Sequence, residues 1–206
     1  SGRLGEAGLH QEGVKEVLDL CLECRACKAE CPVSVDMARY KSEFLAGYYK
    51  VHGMPRKAKL LGHVAEIAPW GSRFAPFSNW VAQSAPARWF NEKYAEVDAR
   101  RKPPAWSGKP LRARTSSHQN PSVLLFADTF TNYYNPETGL DAIRVLEVAG
   151  QKVGLPDHVC CGRPLISQGL LDEAREKAAE NVRRLSKQSL PLLFCEPSCL
   201  TAMKED

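Results

Sequence analysis

Hydrophobic positions recur at helical spacing over residues 8–20, where Val14, Val17, Leu18 and Cys21 share one face, which predicts a helix with a thiol at its end. A second helix is predicted after Pro32. Asp36 is placed to cap it, and its apolar stripe is Met37, Tyr40, Phe44, Leu45 and Tyr48. The intervening "CLECRACKAECPV" at 21–33 reads as a loop between the two. Further helical stretches are predicted near 55–67 and 86–97, separated by the aromatic and proline-rich "APWGSRFAPFSNW". Residues 1–99 are thus expected to be all-helical.

From Arg100 to Pro121 the periodicity disappears. "RRKPPAWSGKPLRARTSSHQNP" is rich in proline, serine and positive charge, so 100–121 reads as a basic linker and a domain boundary. Beyond it the period changes. "SVLLFA" reads as a buried strand; Asn135 and Pro136 then open a helix with Leu140, Ile143 and Leu146 facing inward, and Gly150 closes it. "KVGL" is a short second strand, Leu170, Leu171, Ala174, Ala178, Val182 and Leu185 form the stripe of another helix, and "LPLLF" is a third strand. Such alternation implies a parallel sheet with right-handed crossovers, with chemistry gathered beyond the carboxyl ends of its strands.

The composition is that of an ordinary globular chain: 206 residues, 44% hydrophobic and 25% charged, without a repeat of fixed period. That length allows one large or two small domains, and the change of period favours two. The longest apolar runs, at 123–127 and 190–194, have the length of core strands and fall far short of a bilayer span. The N-terminal residues show no apolar stretch of signal-peptide type, so the expected location is cytoplasmic, with any contact at the inner face of a membrane peripheral. The chain lacks an initiator Met and stops at "LTAMKED" inside a predicted helix, and it therefore reads as a piece of a longer polypeptide. Its net charge of +4 is uneven: residues 50–120 hold 13 Lys and Arg against 4 Asp and Glu, a surplus of nine that leaves the remainder five negative. These positive charges are spread over helices and linker with no recognised nucleic-acid-binding motif, so nucleic acid is not an expected partner. The aromatic run reads as helix-packing residues.

Eight cysteines raise the question of disulfides, a metal or reactive thiols. A chain of this size without a secretion signal can build a core without staples, so reduced, functional thiols are expected. Cys21, Cys24, Cys27 and Cys31 follow C-x2-C-x2-C-x3-C-P, the ferredoxin run for a [4Fe–4S] cluster. Thiolates at i, i+3 and i+6 can wrap three corners of a cube while intervening amides point at the sulfides. A tetrahedral zinc site usually takes two short pairs a dozen or more residues apart, and no second pair is near; a zinc-stabilised interaction domain is the weaker alternative. In two-cluster ferredoxins the fourth cysteine of such a run serves the other cluster. Cys31 accordingly either closes a local cluster or reaches to one whose remaining ligands lie upstream. The fold class expected is α+β: an all-α ferredoxin-like helical domain at 1–99, then a partial α/β (βαβαβ, parallel sheet) cysteine-rich domain at 122–206.

The other four cysteines lie in that second domain. Cys160 and Cys161, in "HVCCGRPLISQG", and Cys195 and Cys199, in "FCEPSC", are separated by one predicted helix and one strand, so the sheet should bring them to one edge. They form a candidate second site for a metal, a cluster or redox thiols; the plainer reading is buried small hydrophobes. Pro197 and Ser198 start a helix whose N-terminus can lower the pKa of Cys199, and Gly162 relieves crowding after the vicinal pair. His158 is a conceivable ligand, but a loop histidine is more often simply solvated.

At these residues the sequence resembles a known family. "CCGRP" followed by "EPSC" is similar to the CCG module of heterodisulfide reductase subunits and of the C subunit of anaerobic glycerol-3-phosphate dehydrogenase. "VLDLCLECRACKAECPVSVDMARYKSEFLAGYY" and "FADTFTNYYNPETG" resemble, more narrowly, the C-terminal iron–sulfur region of large FAD-linked oxidases of D-2-hydroxy acids such as D-lactate, glycolate or D-2-hydroxyglutarate. The resemblance implies an upstream FAD-binding domain and a first ferredoxin run on the same parent polypeptide. It further implies that Cys21, Cys24 and Cys27 hold one cluster while Cys31 reaches to another, and that Cys160, Cys161 and Cys199 are the thiols of the CCG motif. Cys195-x3-Cys199 departs from the C-x2-C of the reductase subunits, and Asp128 stands where they carry the module's first Cys.

The functional expectation is an iron–sulfur electron-transfer portion, relaying electrons from a flavin to a quinone, a cytochrome or another acceptor. A thiol/disulfide reductase site of heterodisulfide-reductase type is the alternative. No strand–GxGxxG–helix unit, phosphate loop or well-placed general base is present in the sequence, so no catalytic residue is assigned and this chain alone is not expected to complete the flavin chemistry.

Overall fold

The computed structural model describes residues 11–205. Its first half consists of α1 (Glu12–Asp19), α2 (Ala26–Glu30), α3 (Met37–His52), α4 (Arg56–Gly62), α5 (Val64–Arg73), α6 (Phe77–Gln83) and α7 (Ala85–Ala95). The first predicted helix is present as α1; residues 8–10 of that prediction lie outside the described residues. Asp36 caps α3, its Oδ1 accepting from the amides of Ala38 at 3.0 Å and Arg39 at 3.2 Å. The cysteine run is not wholly loop: α2 is a helical turn between Cys24 and Cys31.

Two apolar expectations are corrected here. The buried face of α3 is Ala38, Ser42, Leu45 and Tyr48, while Met37 and Tyr40 are exposed. Ser42 can be buried because its hydroxyl donates to the Arg39 carbonyl within the helix, a self-satisfaction that a hydrophobicity pattern scores as polar. The aromatic run also turns outward: Trp70, Phe77 and Trp80 are 65%, 66% and 72% exposed. The buried face of α5 is instead Ala68, Gly71 and Ser72. These small residues admit the indole of Trp106, which packs so closely that a Cβ on Gly71 would lie 2.3 Å from it.

Residues 100–121, read as linker, are packed against both halves. The Trp106 indole donates to the Tyr134 hydroxyl at 2.9 Å, and Leu111, in the short helix α8 (Leu111–Arg114), is fully buried.

The second half contains β1 (Val123–Phe126), α9 (Thr129–Tyr133), α10 (Pro136–Val148), β2 (Val153–Gly154), α11 (Arg163–Ser167), α12 (Leu171–Leu185), β3 (Leu192–Phe194) and α13 (Pro197–Glu205). The strands form a parallel sheet in the order β2-β1-β3, with Val123 opposite Val153 and Leu124 opposite Leu192. Side chains alternate between its faces. Val123 and Leu125 meet Leu111, Ile143 and Val153 on one face; Phe126 meets Cys161, Cys199 and Ala202 on the other. All of β1 is buried, as a central parallel strand should be. The chain is therefore mostly helical with a small parallel sheet, an α+β protein.

The halves pack directly. Gly169 has φ +71°, and a Cβ there would lie 2.7 Å from Leu45 Cβ and 2.9 Å from the Ala46 nitrogen, so the turn before α12 can approach α3 only as glycine. His63 and Glu173 meet at 2.8 Å, and Lys177 and Glu66 at 2.7 Å, across the same contact. Among the described residues no helix is long and apolar enough to cross a membrane.

Candidate metal centres

Backbone geometry in the first cysteine run follows from its caps. Cys21 follows α1, Cys24 is exposed, Cys27 lies in α2, and Cys31 is the extended residue that ends it. Glu23, Arg25 and Ser34 take positive φ of 57°, 59° and 53°, bending a chain without glycines through the cysteine run. Amides point at the sulfurs. The Met37 N–H lies 3.5 Å from Cys27 Sγ. The Val35 amide foremost, then those of Val33 and Ser34, hold the Cys31 thiol below its ordinary pKa. Donors of this kind favour a thiolate and are what an anionic thiolate-ligated group requires, so this loop fits the iron–sulfur group its spacing implies. All eight cysteines are free.

The second constellation is built differently. Cys161 and Cys199 are buried with Sγ atoms 3.1 Å apart, and the Cys160 thiol hydrogen-bonds that of Cys161. Gly162, at φ +87°, makes the left-handed turn from the vicinal pair into α11. The Cys160 thiol is pushed well above its ordinary pKa, first by its bond to Cys161 and then by burial. The bond to Cys160 pulls Cys161 down, but the Cys199 thiol and burial outweigh it and push Cys161 up to about 12. Thiols are the donors soft metals and clusters take, and binding here would first have to displace the protons of Cys160 and Cys161.

Cys195 does not join them. Strand alternation places it on the opposite face, packed with Leu193 against the Leu111–Ile143 cluster, while Phe194 points to the Cys161 side. Burial first, and then the Asp128 charge, raise its pKa. Asp128 itself is buried and caps α9, its Oδ1 accepting from the amides of Phe130 and Thr131 at 2.9 and 3.0 Å. Among the described residues no three His, Cys, Asp or Glu side chains form a ready ligand set for a single metal ion.

Two further residues shape the site. Asn181 is completely buried where the pattern put Val182, which is 64% exposed. Its Oδ1 accepts from the Val159 amide at 2.9 Å and its Nδ2 donates to the Cys160 carbonyl at 3.0 Å, fixing the vicinal turn. Its helical register with Ala174 was the available signal. His158 is not simply solvated: it stacks on Phe126 with centroids 3.8 Å apart, its Nδ1 pairs with the Val159 carbonyl, and burial lowers its pKa to about 4.

Residues 126–204 match the family model of the CCG cysteine-rich domain. The chain is 24% identical over 214 residues to the D-2-hydroxyglutarate dehydrogenase of Escherichia coli, covering 94% of this chain and 21% of that protein. It is 28% identical over 158 residues to the C subunit of anaerobic glycerol-3-phosphate dehydrogenase from the same organism, covering 71% of this chain and 40% of the relative. The B subunit of the fumarate reductase (CoM/CoB) of Methanothermobacter marburgensis is 25% identical, with 90% of this chain and 43% of the relative aligned. The chain thus spans between about a fifth and two fifths of these curated relatives. No solved structure matches.

Proposed function

We propose that this chain, whose residues 126–204 match the CCG cysteine-rich domain and which is similar to subunits and segments of dehydrogenases and a reductase, is the iron–sulfur electron-transfer portion of an FAD-linked oxidoreductase. The observation that carries the reading is the amide-lined loop at 21–37, whose N–H groups point at Cys27 and Cys31. Cys21, Cys24, Cys27 and Cys31 hold a [4Fe–4S] cluster in this reading, with Cys31 serving either that cluster or a second one. An iron–sulfur cluster supplies one-electron exchange with little movement, which lets the electron pair of a reduced flavin be divided. The amides of residues 33–37 stabilise negative charge on the sulfurs, and the first helices bury part of the loop.

The division into a ferredoxin-type helical domain at 1–99, a linker at 100–121 and a cysteine-rich domain at 122–206 belongs to the same proposal. So do the FAD-binding domain on the parent polypeptide, a D-2-hydroxy acid as the electron source, a quinone or cytochrome as acceptor, and a cytoplasmic location. Peripheral contact with the inner face of a membrane falls to the exposed aromatic side chains of α5 and α6, since tryptophan rings favour the interfacial region. Flotation with anionic vesicles tests that contact.

Anaerobic reconstitution with iron and sulfide tests the central claim. Broad visible absorbance that bleaches with dithionite is expected, with iron and no zinc by metal analysis. Absence of that absorbance in reconstituted protein removes the proposal. A second reading is favoured by the 3.1 Å approach of Cys161 and Cys199: a dithiol that closes to a disulfide, its two protons passing to water and its two electrons leaving one at a time through the iron–sulfur group to the terminal acceptor. Mass spectrometry of oxidised, alkylated protein tests it; no Cys161–Cys199 crosslink after oxidation excludes it.

A further inference from the structure

One arginine touches both cysteine regions. Arg163 opens α11 directly after Gly162 and the vicinal pair, and its guanidinium crosses to the first loop. There Nη2 donates to the Glu23 carbonyl at 3.2 Å and lies 3.4 Å from the Glu23 carboxylate. Glu23 stands between Cys21 and Cys24 in a left-handed backbone conformation, φ 57°. Such a residue persists only where its surroundings hold it. A second cation completes the clamp: Lys41, from α3, donates to the Cys21 carbonyl at 2.9 Å and lies 3.5 Å from the other Glu23 oxygen. The side chains of Arg163, Glu23 and Lys41 are only 14%, 10% and 12% exposed. Charges sheltered to this degree are weakly screened by water.

We propose that Arg163 is a positioning residue that pins the Cys21–Cys24 turn to the Cys160–Cys161 turn and balances the Glu23 carboxylate, so that a side chain of the cysteine-rich domain helps set the reduction potential at the first cysteine run. The inference rests on the iron–sulfur reading and adds a residue to it. Reduction by one electron places one more negative charge among the thiolates. A nearby guanidinium favours that charge and a nearby carboxylate opposes it. Arg163 and Glu23 therefore act with opposite signs, which a purely structural role does not produce.

The experiment is a redox titration of the reconstituted full chain, followed by visible absorbance and electron paramagnetic resonance, for wild type, Arg163→Gln, Arg163→Lys, Glu23→Gln and the Arg163→Gln/Glu23→Gln pair. Arg163→Gln is expected to lower the midpoint potential and Glu23→Gln to raise it. The double variant should return close to wild type, and Arg163→Lys, which keeps the charge, should stay close to the wild-type potential. Unshifted potentials in loaded variants, or shifts of Arg163→Gln and Glu23→Gln in the same direction, overturn the inference alone. If Arg163→Gln fails to fold, the inference is decided by Glu23→Gln, which must raise the potential, and by Arg163→Lys, which must leave it close to wild type. Wild-type protein without a bleachable chromophore overturns the iron–sulfur reading and this inference with it.

Discussion

Residues 21–31 leave their thiols near the surface and aim backbone amides at them, whereas Cys160, Cys161 and Cys199 meet in the apolar interior beneath the sheet. The amides of the first arrangement favour the Cys31 thiolate before any metal arrives. The second favours the protonated thiols of Cys160 and Cys161, so a ligand there must displace protons against burial. Identical side chains are thus prepared for ligation to different degrees by what surrounds them. An exposed loop gives access and charge stabilisation; a buried cluster gives proximity at the cost of proton affinity.

The largest expected break in this comparison is at the first run. Cys24→Ala should abolish most of the dithionite-bleachable absorbance and lower bound iron by about one cluster's content, since a thiolate corner is lost. Cys195→Ala, on the opposite face of the sheet from Cys161, should leave iron content unchanged. Equal iron loss in both would erase the distinction drawn from the two faces.

Asn181→Leu comes next. It strands the Val159 amide and the Cys160 carbonyl in the interior, and should cost about 2 kcal/mol in denaturant unfolding. A change below about 0.5 kcal/mol would mean the vicinal turn holds without that side chain.

Alkylation of the apo-protein sharpens the contrast between the two regions. Iodoacetamide should modify exposed Cys24 at least about tenfold faster than Cys161 near neutral pH, because the thiolate is the reactive form. As pH rises toward the elevated pKa of Cys161, its rate should climb while protection by burial persists. Mass-resolved labelling that finds Cys161 as fast as Cys24 would contradict the buried assignment.

The smallest effect concerns the contact between halves. The Lys59 carbonyl foremost, and the Glu173 carboxylate against opposing burial, raise the pKa of His63 above its ordinary 6.5. A folded pKa above the unfolded one contributes stability below the unfolded value and loses it as pH rises through the folded value. Thermal midpoints should show that fall, and His63→Gln should flatten it. An unchanged slope would show that His63 does not couple the halves.

Much of the local structure was legible. Asp36 announced its helix because a cap needs only its own carboxylate and the next amides, and "SVLLFA", "KVGL" and "LPLLF" each mark a strand of the sheet. The outward aromatics were not legible, because Trp106, some 35 residues beyond Gly71, is what packs against the small-residue face of α5.

The sequence by itself determined the thiol spacing of the first run, since ligands within eleven residues need only a short backbone path to converge. Tertiary structure alone decided which thiols of the second half meet. Cys195 and Cys199 are close in the chain, yet the strand's two-residue alternation and the helices covering each face send them to opposite sides of the sheet. Cys161 and Cys199, far apart in sequence, touch because parallel pairing of β1 with β3 brings α13 beside the vicinal turn.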